Sequence, residues 1–335
     1  MKDFYKKLVL KRSIFLLVGF FLCMVFLILD ISLGPAKYSF LEVFEAIFGT
    51  PKDESISVII HSMRIPAALM AVVAGASLGL SGAVMQTILS NPLASPYTLG
   101  IGSAAGFGAA VGIVLFDGSF LGISSFAFLF SSLSILFIYY LSKRIFLGSS
   151  SIILIGIILV FIYQSLQAFV IYLANEIEVS SIVFWTFGSL MRSNYTYVSV
   201  LALALILALF IVLYKAWDLN ALLLGDEKAA SLGIKVDSLK IRMLILVSLL
   251  TTICVCFVGT IGFVGLVAAH VSRLLIGAEQ RFFLIFSAIC GALLLSLSSV
   301  FSKSVVDGVV FPIGIITSFI GAIFFLAIVL KKGLR

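Results

Sequence analysis

Charge is scarce in this chain. Of its 335 residues, 11% are Asp, Glu, Lys or Arg and 62% are hydrophobic. A soluble surface needs more charge than that, so the composition excludes a water-soluble globule. Histidine occurs twice and cysteine four times. Cys23, Cys254, Cys256 and Cys290 all fall in apolar stretches, and no metal or disulfide spacing is present, so they read as small packing residues and no metal site is expected. A G-x-x-x-x-G-K-S/T loop is missing, which removes the usual means of holding a nucleotide phosphate. An A-x-A-like cleavage site is missing before Asp30, so the first apolar segment reads as a retained helix rather than a cleaved leader.

What the chain does have is long runs without charge. They are Ser13–Leu29, Ile65–Phe116, Gly118–Ser142, Ile145–Asn175, Ser193–Tyr214, Met243–Ser272 (one His inside), Phe282–Ser302 and Gly308–Leu330. A bilayer core of ~30 Å takes about 20 apolar residues per helix, and backbone groups in lipid must be satisfied internally. Pro92 and Pro96 break the second run, and the Gly259–Gly262 tetrapeptide breaks the sixth. The pattern predicts an all-α polytopic membrane protein of about ten helices, over 13–34, 56–90, 98–116, 120–142, 150–175, 195–215, 238–260, 263–275, 281–301 and 312–331. The eighth is too short to cross fully. The chain forms a single membrane domain, 1–335, with no soluble one.

The basic residues set an orientation. With the N-terminus inside, 17 of the 22 Lys and Arg residues fall on the inner side, and only Lys37, Lys52, Arg64, Arg192 and Lys303 on the outer. The positive-inside rule therefore predicts a multi-pass cytoplasmic-membrane protein with both termini inside. The net charge of +7 is topogenic and gives no reason to expect nucleic-acid binding. A faint internal echo relates Arg64–Pro92 to Arg242–His270, the pattern of two inverted halves formed by helices 2–5 and 7–10. Gly75, Gly79 and Gly82 in one helix and Gly102, Gly106, Gly108 and Gly112 in the next form small-residue faces, suited to close helix packing or to lining a path.

The richest interior charged block runs from Trp217 to Arg242 and lies on the inner side. Within it, Leu222, Leu223 and Leu224 precede Asp226, Glu227 and Lys228, and Gly225 and Gly233 bracket a short helix that opens on acidic residues and contains Ala229 and Leu232. An apolar knob with a charged rim suits a groove on a partner.

Six blocks in order complete the pattern: Arg64-Ile-Pro, SGAVMQTILSNPLASPYTLGIGSAAGFGA (Ser81–Ala109), FWTFGSL (Phe184–Leu190), LLLGDEKAASLGI (Leu222–Ile234), GTIGFVGLVAAHVSR (Gly259–Arg273) and FPIGIITSFIGA (Phe311–Ala322). Together they resemble the permease subunit of the ABC importers for iron-siderophores, haem and vitamin B12, over nearly the whole chain after the first helix. The resemblance implies a ten-helix subunit that pairs with a second copy or a close paralogue, with a path along the two-fold axis. It implies two ABC ATPase subunits, which hold the ATP and Mg that this chain does not, and a periplasmic or lipid-anchored substrate-binding protein. Carried residue by residue, it implies ATPase coupling through Leu222–Ala229, Leu232 and Gly233, and docking of the binding protein at Arg64 and Lys303. It places the path and gate at Gln86, Asn91, Pro92, Leu93, Ser95 and Pro96, with Trp185, Gly188 and Ser189 in a short gate helix spanning 185–190. Three positions depart from the family pattern. Ala269 and Ile323 stand where Pro is usual, and Val310 where Glu is frequent.

Two other readings remain. Gly79-Leu80-Ser81-Gly82 has the G-x-S-G form of intramembrane serine proteases, with His270 as the base; fluorophosphonate labelling would favour it. An ion-coupled secondary transporter would usually carry an ionisable group in mid-membrane, and the charge-free runs offer only His270. The resemblance implies iron-siderophore as the expected cargo, with haem, cobalamin and molybdate left open.

Overall fold

Apolar runs this long become helices because lipid offers no partner to an open backbone group. The structure, a computed structural model, describes residues 2–49, 54–116, 118–145, 149–306 and 308–333. Helix α1 (Lys2–Ser32) is followed by a short α2 (Phe40–Phe48). Helix α3 (Glu54–Ile59) runs through a π-turn, Ile60–Arg64, into α4 (Ile65–Ile88). Then come α5 (Ile101–Leu115), α6 (Phe120–Ile145), α7 (Ser149–Leu173), α8 (Glu176–Thr186), α9 (Tyr195–Tyr214), α10 (Ala216–Leu222) and α11 (Asp226–Ser231). The chain closes with α12 (Val236–Val258), α13 (Val264–Ile276), α14 (Gln280–Ser304) and α15 (Ile313–Gly333). Among the described residues, 7 helical segments are long and apolar enough to cross a membrane, and Ile101–Leu115, Val264–Ile276 and Ile313–Ile328 are shorter apolar helices. Together these are the ten that the hydropathy pattern predicts.

Helix α4 is the axis of the subunit. Its apolar window is 83% buried, against 17% for α1 and for α7, so its neighbours surround it. Its most extensive partner is α14. The two backbones touch: a Cβ on Gly75 would strike the Gly291 carbonyl, and one on Gly79 the Ser287 carbonyl. The glycine stripe of α4 is therefore a packing face, as small residues allow in lipid. Ser81 lies within the same packed region. It is fully buried, and its hydroxyl donates to the Val247 carbonyl at 3.2 Å. The His270 ring packs edge-on against Phe324 and Phe325.

Two of the helices that hydropathy did not predict, α2 and α8, open with a capping box. Ser39 accepts from the Glu42 amide while Glu42 reaches back to the Ser39 amide, and Asn175 and Glu178 do the same at the start of α8. Helix α8 also corrects the expected gate helix over 185–190. The helix ends at Thr186, and Gly188 takes φ +72°, which turns the chain back. Residues 187–190 are therefore not helical.

Candidate functional site

The charged block folds as read. Gly225, at φ +100°, starts α11, and Gly233, at φ +86°, ends it. Both φ values lie in the left-handed half of the map, where a side chain would be strained. The Ile234 amide closes the helix end on the Ala229 carbonyl at 3.2 Å. Lys240 on α12 is paired with Asp226, which ties α11 down. On this frame Leu223, Leu224 and Leu232 are 42%, 58% and 66% exposed. Asp226, Glu227 and Lys228 surround them, also exposed. Leu222 and Ala229 correct the expectation that the whole run faces a partner: both are buried, and they anchor the block to its own subunit. The knob is thus three leucines with a charged rim.

This block is wired to the end of α4. The Asn220 side-chain oxygen, on α10, accepts the Gln280 amide proton at 2.9 Å, at the first residue of α14. Gln280 is fully buried and donates through its own side chain to the Ala278 carbonyl at 3.0 Å. The Thr87 hydroxyl lies 2.9 Å from the Ala83 carbonyl and 3.3 Å from Gln280 Oε1, and shares its one proton between them. Thr87 sits in the last turn of α4, next to the segment expected to gate the path. Asn220 and Gln280 were not legible as a pair, because 60 residues separate them and neither stands out by type. Beside them Arg12 bonds Glu279 at 2.7 Å, Arg281 bonds the same carboxylate, and the Arg281 guanidinium stacks 4.6 Å over the Trp217 ring. Replacing Gln280 by Leu keeps the volume and the backbone bond to Asn220, and removes the side-chain bonds to Thr87 and Ala278. The expected result is an assembled transporter whose transport falls roughly tenfold more than its ATP hydrolysis, from the loss of a buried hydrogen-bond pair worth about 1–3 kcal/mol. Parallel transport and hydrolysis assays would check this, and an equal fall in both would refute the link.

The segment after α4 is a broken helix with its own bonds. Ser90 takes φ +49°, the Asn91 side chain accepts from the Leu93 amide at 2.8 Å, and Ser95 and Thr98 bond each other through side chain and backbone before the 3-10 turn Tyr97–Leu99. Pro92 and Leu93 are exposed and Asn91 is half-buried. Gln86, Ser95 and Pro96 are buried, so they stand behind the surface of any path here. Among the described residues, neither side-chain atom of Gln86 has a hydrogen-bond partner.

Three other breaks meet at one junction. The Ser189 amide donates to the Val258 carbonyl at 2.8 Å, the Gly314 amide to the Phe187 carbonyl at 3.0 Å, and the Ile261 amide to the Tyr97 hydroxyl at 2.8 Å. The Thr260 hydroxyl closes the ring on the Thr186 carbonyl. Backbone freed from helices is tolerated in a membrane protein where protein satisfies it, as here. Trp185 and Gly188 are buried in this junction and Ser189 is half-buried, so they brace it rather than project from a helix.

Arg64 and Lys303, expected at the docking surface, are instead buried and bonded within the subunit. Arg64 is 4% exposed; its guanidinium donates to the carbonyls of Ile31, Ser32 and Ala36 and lies 5.0 Å from the centre of the Tyr38 ring. Lys303 bonds Asp30 Oδ1 at 2.9 Å and the Asp30 carbonyl at 3.0 Å, and Ser299 donates to the other carboxylate oxygen at 2.9 Å. Both cations are consumed in fastening the end of α1 to the bundle, because an unpaired charge there would be costly.

The FecCD transport family profile matches residues 22–331. The chain belongs to the FecCD transport family. A Methanocaldococcus jannaschii protein named as an ABC transporter permease is 36% identical, with 98% of this chain and 97% of that one covered. The hemin transport system permease of Yersinia pestis is 31% identical, covering 95% of this chain and 96% of its own. A solved structure described as an inward-facing, metal-chelate type ABC transporter superposes with a TM-score of 0.83 at 31% identity, over 94% of this chain and 98% of that one. The FecCD chain described here is accordingly a multi-pass membrane protein and an ABC importer permease.

Proposed function

We propose that this permease imports an iron chelate, a ferric siderophore or haem, across the cytoplasmic membrane with both termini inside. Two copies, or one copy and a close paralogue, enclose the path. Two ABC ATPase subunits bind the α10–α11 end and carry out the ATP hydrolysis, and a substrate-binding protein delivers cargo at the opposite end. The observation that carries this reading is the exposed Leu223, Leu224 and Leu232 knob, rimmed by charge and standing at the end of the bundle. The similarity to a hemin permease and to a metal-chelate type transporter supports the cargo class. Arg64 and Lys303 hold the docking end in shape, while Arg192, exposed between α8 and α9, is free to face a carboxylate on the binding protein. The fully enclosed, unpartnered Gln86 amide supports a gate that rearranges near the end of α4, since leaving such a group unpaired costs about 1–3 kcal/mol.

The test is ATP hydrolysis by the complete complex in lipid, with a candidate binding protein either empty or loaded with ferric siderophore. Stimulation by the loaded form and not by the empty form is expected. Equal rates with ferric siderophore, haem and no cargo would remove the iron-chelate assignment.

A further inference from the structure

A cleft between α9 and α12 changes character along its length. Toward the middle of the bundle it is an apolar groove of about 430 Å³, walled by Phe210, Ile211, Ile245, Leu246 and Leu249. At the α10–α11 end it opens into a polar cavity of about 290 Å³ beside Lys235, Ser238 and Asp218. Lys215, Arg242 and Met243 line both, so the two spaces are continuous. Arg242 and Lys235 are exposed, and neither makes a hydrogen bond or ion pair among the described residues. Lys215 is held by Asp218 at 3.0 Å, so the cavity gathers three cations around one carboxylate. From Arg242 to Leu249 the helix rises about 10 Å. That is the geometry of a charged head above an apolar tail.

We propose that this cleft binds an anionic phospholipid, with its phosphate at Arg242 and Lys235 and one acyl chain in the groove between α9 and α12. Two observations select this occupant. The basic cavity joins an apolar groove on a membrane-facing helix pair, which a free phosphate would leave empty. The charge lies where the sequence places the inner leaflet, and anionic headgroups concentrate at juxtamembrane basic clusters there. The second argument rests on the orientation proposed above. Because Lys215, Asp218 and Gly233 flank α10 and α11, the lipid would also hold the knob at a fixed height over the membrane.

Native mass spectrometry of the complete transporter, titrated with phosphatidylglycerol or phosphatidylcholine, tests the site. The wild type is expected to retain phosphatidylglycerol preferentially. The double variant Lys235→Gln, Arg242→Gln should lose that preference roughly tenfold or more, as expected for two juxtamembrane charges. Both side chains are exposed, so assembly is expected to survive. A second variant, Leu246→Trp, fills the groove and should reduce retention of both lipids. Glycerophosphate without acyl chains should fail to displace the bound lipid. Equal retention of the two lipids by the wild type, an unchanged preference in the double variant, or displacement by glycerophosphate would each overturn the proposal. A lipid preference that survives in a complex without ATP-driven transport would uphold the site while removing the importer reading.

Discussion

Replacing Leu223 and Leu224 together by Asp is expected to abolish capture of the ATPase subunit while leaving the permease folded in the membrane. Both side chains are exposed in the free subunit, so their loss leaves no hole in its core. In a complex they would be the desolvated centre of the contact, where truncation of a single anchor costs about 2 kcal/mol or more. Two such losses, with carboxylates buried in their place, weaken association by at least a thousandfold on that scale. Neighbouring positions sharpen the test. Leu222 is buried, so Leu222→Asp should fail by misfolding instead, and Glu227→Ala at the rim should be mild. Co-purification with the ATPase and the elution profile of the permease alone separate these outcomes. Normal capture by the Leu223→Asp, Leu224→Asp variant would show that the knob is not the contact.

Lys303→Met is expected to destabilise the permease severely, and Asp30→Asn in the same chain to restore most of the loss. The Lys303 and Asp30 side chains are 4% and 0% exposed. Removing one partner leaves an uncompensated buried charge, which costs about 3–5 kcal/mol, whereas a neutral pair of similar volume is often tolerated. Asn at position 30 keeps an acceptor for the Ser299 hydroxyl, which now donates to Asp30 at 2.9 Å. Thermal unfolding in detergent, followed by size exclusion, reads both variants. A single variant as stable as the wild type, or a double variant no better than the single, would contradict the buried-pair account.

The same lysine shows where sequence stops informing. Its type and its place near the end of an apolar run predict an outer-side charge. They could not reveal Asp30, 273 residues away, as its partner. Long-range pairing also hid the Asn220–Gln280–Thr87 link and the grip of Arg64 on the α1 end. Elements governed by local rules were legible. Gly225 and Gly233 mark α11 because both need a left-handed backbone, and Pro92 and Pro96 mark the break after α4. The ten apolar helices followed from charge-free length together with the Pro and Gly breaks. Helices α2 and α8 were missed because hydropathy was weighed and their capping boxes were not, although S-x-x-E at Ser39 and N-x-x-E at Asn175 stand in the sequence. The expected 185–190 helix failed at Gly188, whose positive φ ends α8 and lets residues 187–190 join the junction of broken helices.

The Asn220–Gln280–Thr87 relay joins α10 to the end of α4, and the junction joins three other helix ends. The relay reaches the last turn of α4 through Thr87. The junction is the meeting of α8, α12 and α15, where Phe187, Val258 and Gly314 share backbone bonds. Both are built from hydrogen bonds between helix ends, which can be exchanged without unfolding a helix.

The central claim is that force enters through the α10–α11 knob from a separate ATPase. The most direct test is uptake of a radiolabelled ferric chelate into vesicles containing the complete transporter, comparing the wild type with the Leu223→Asp, Leu224→Asp variant, with and without ATP. ATP-dependent uptake by the wild type and none by the variant are expected. Uptake that persists without ATP, or that survives in the variant, would contradict it.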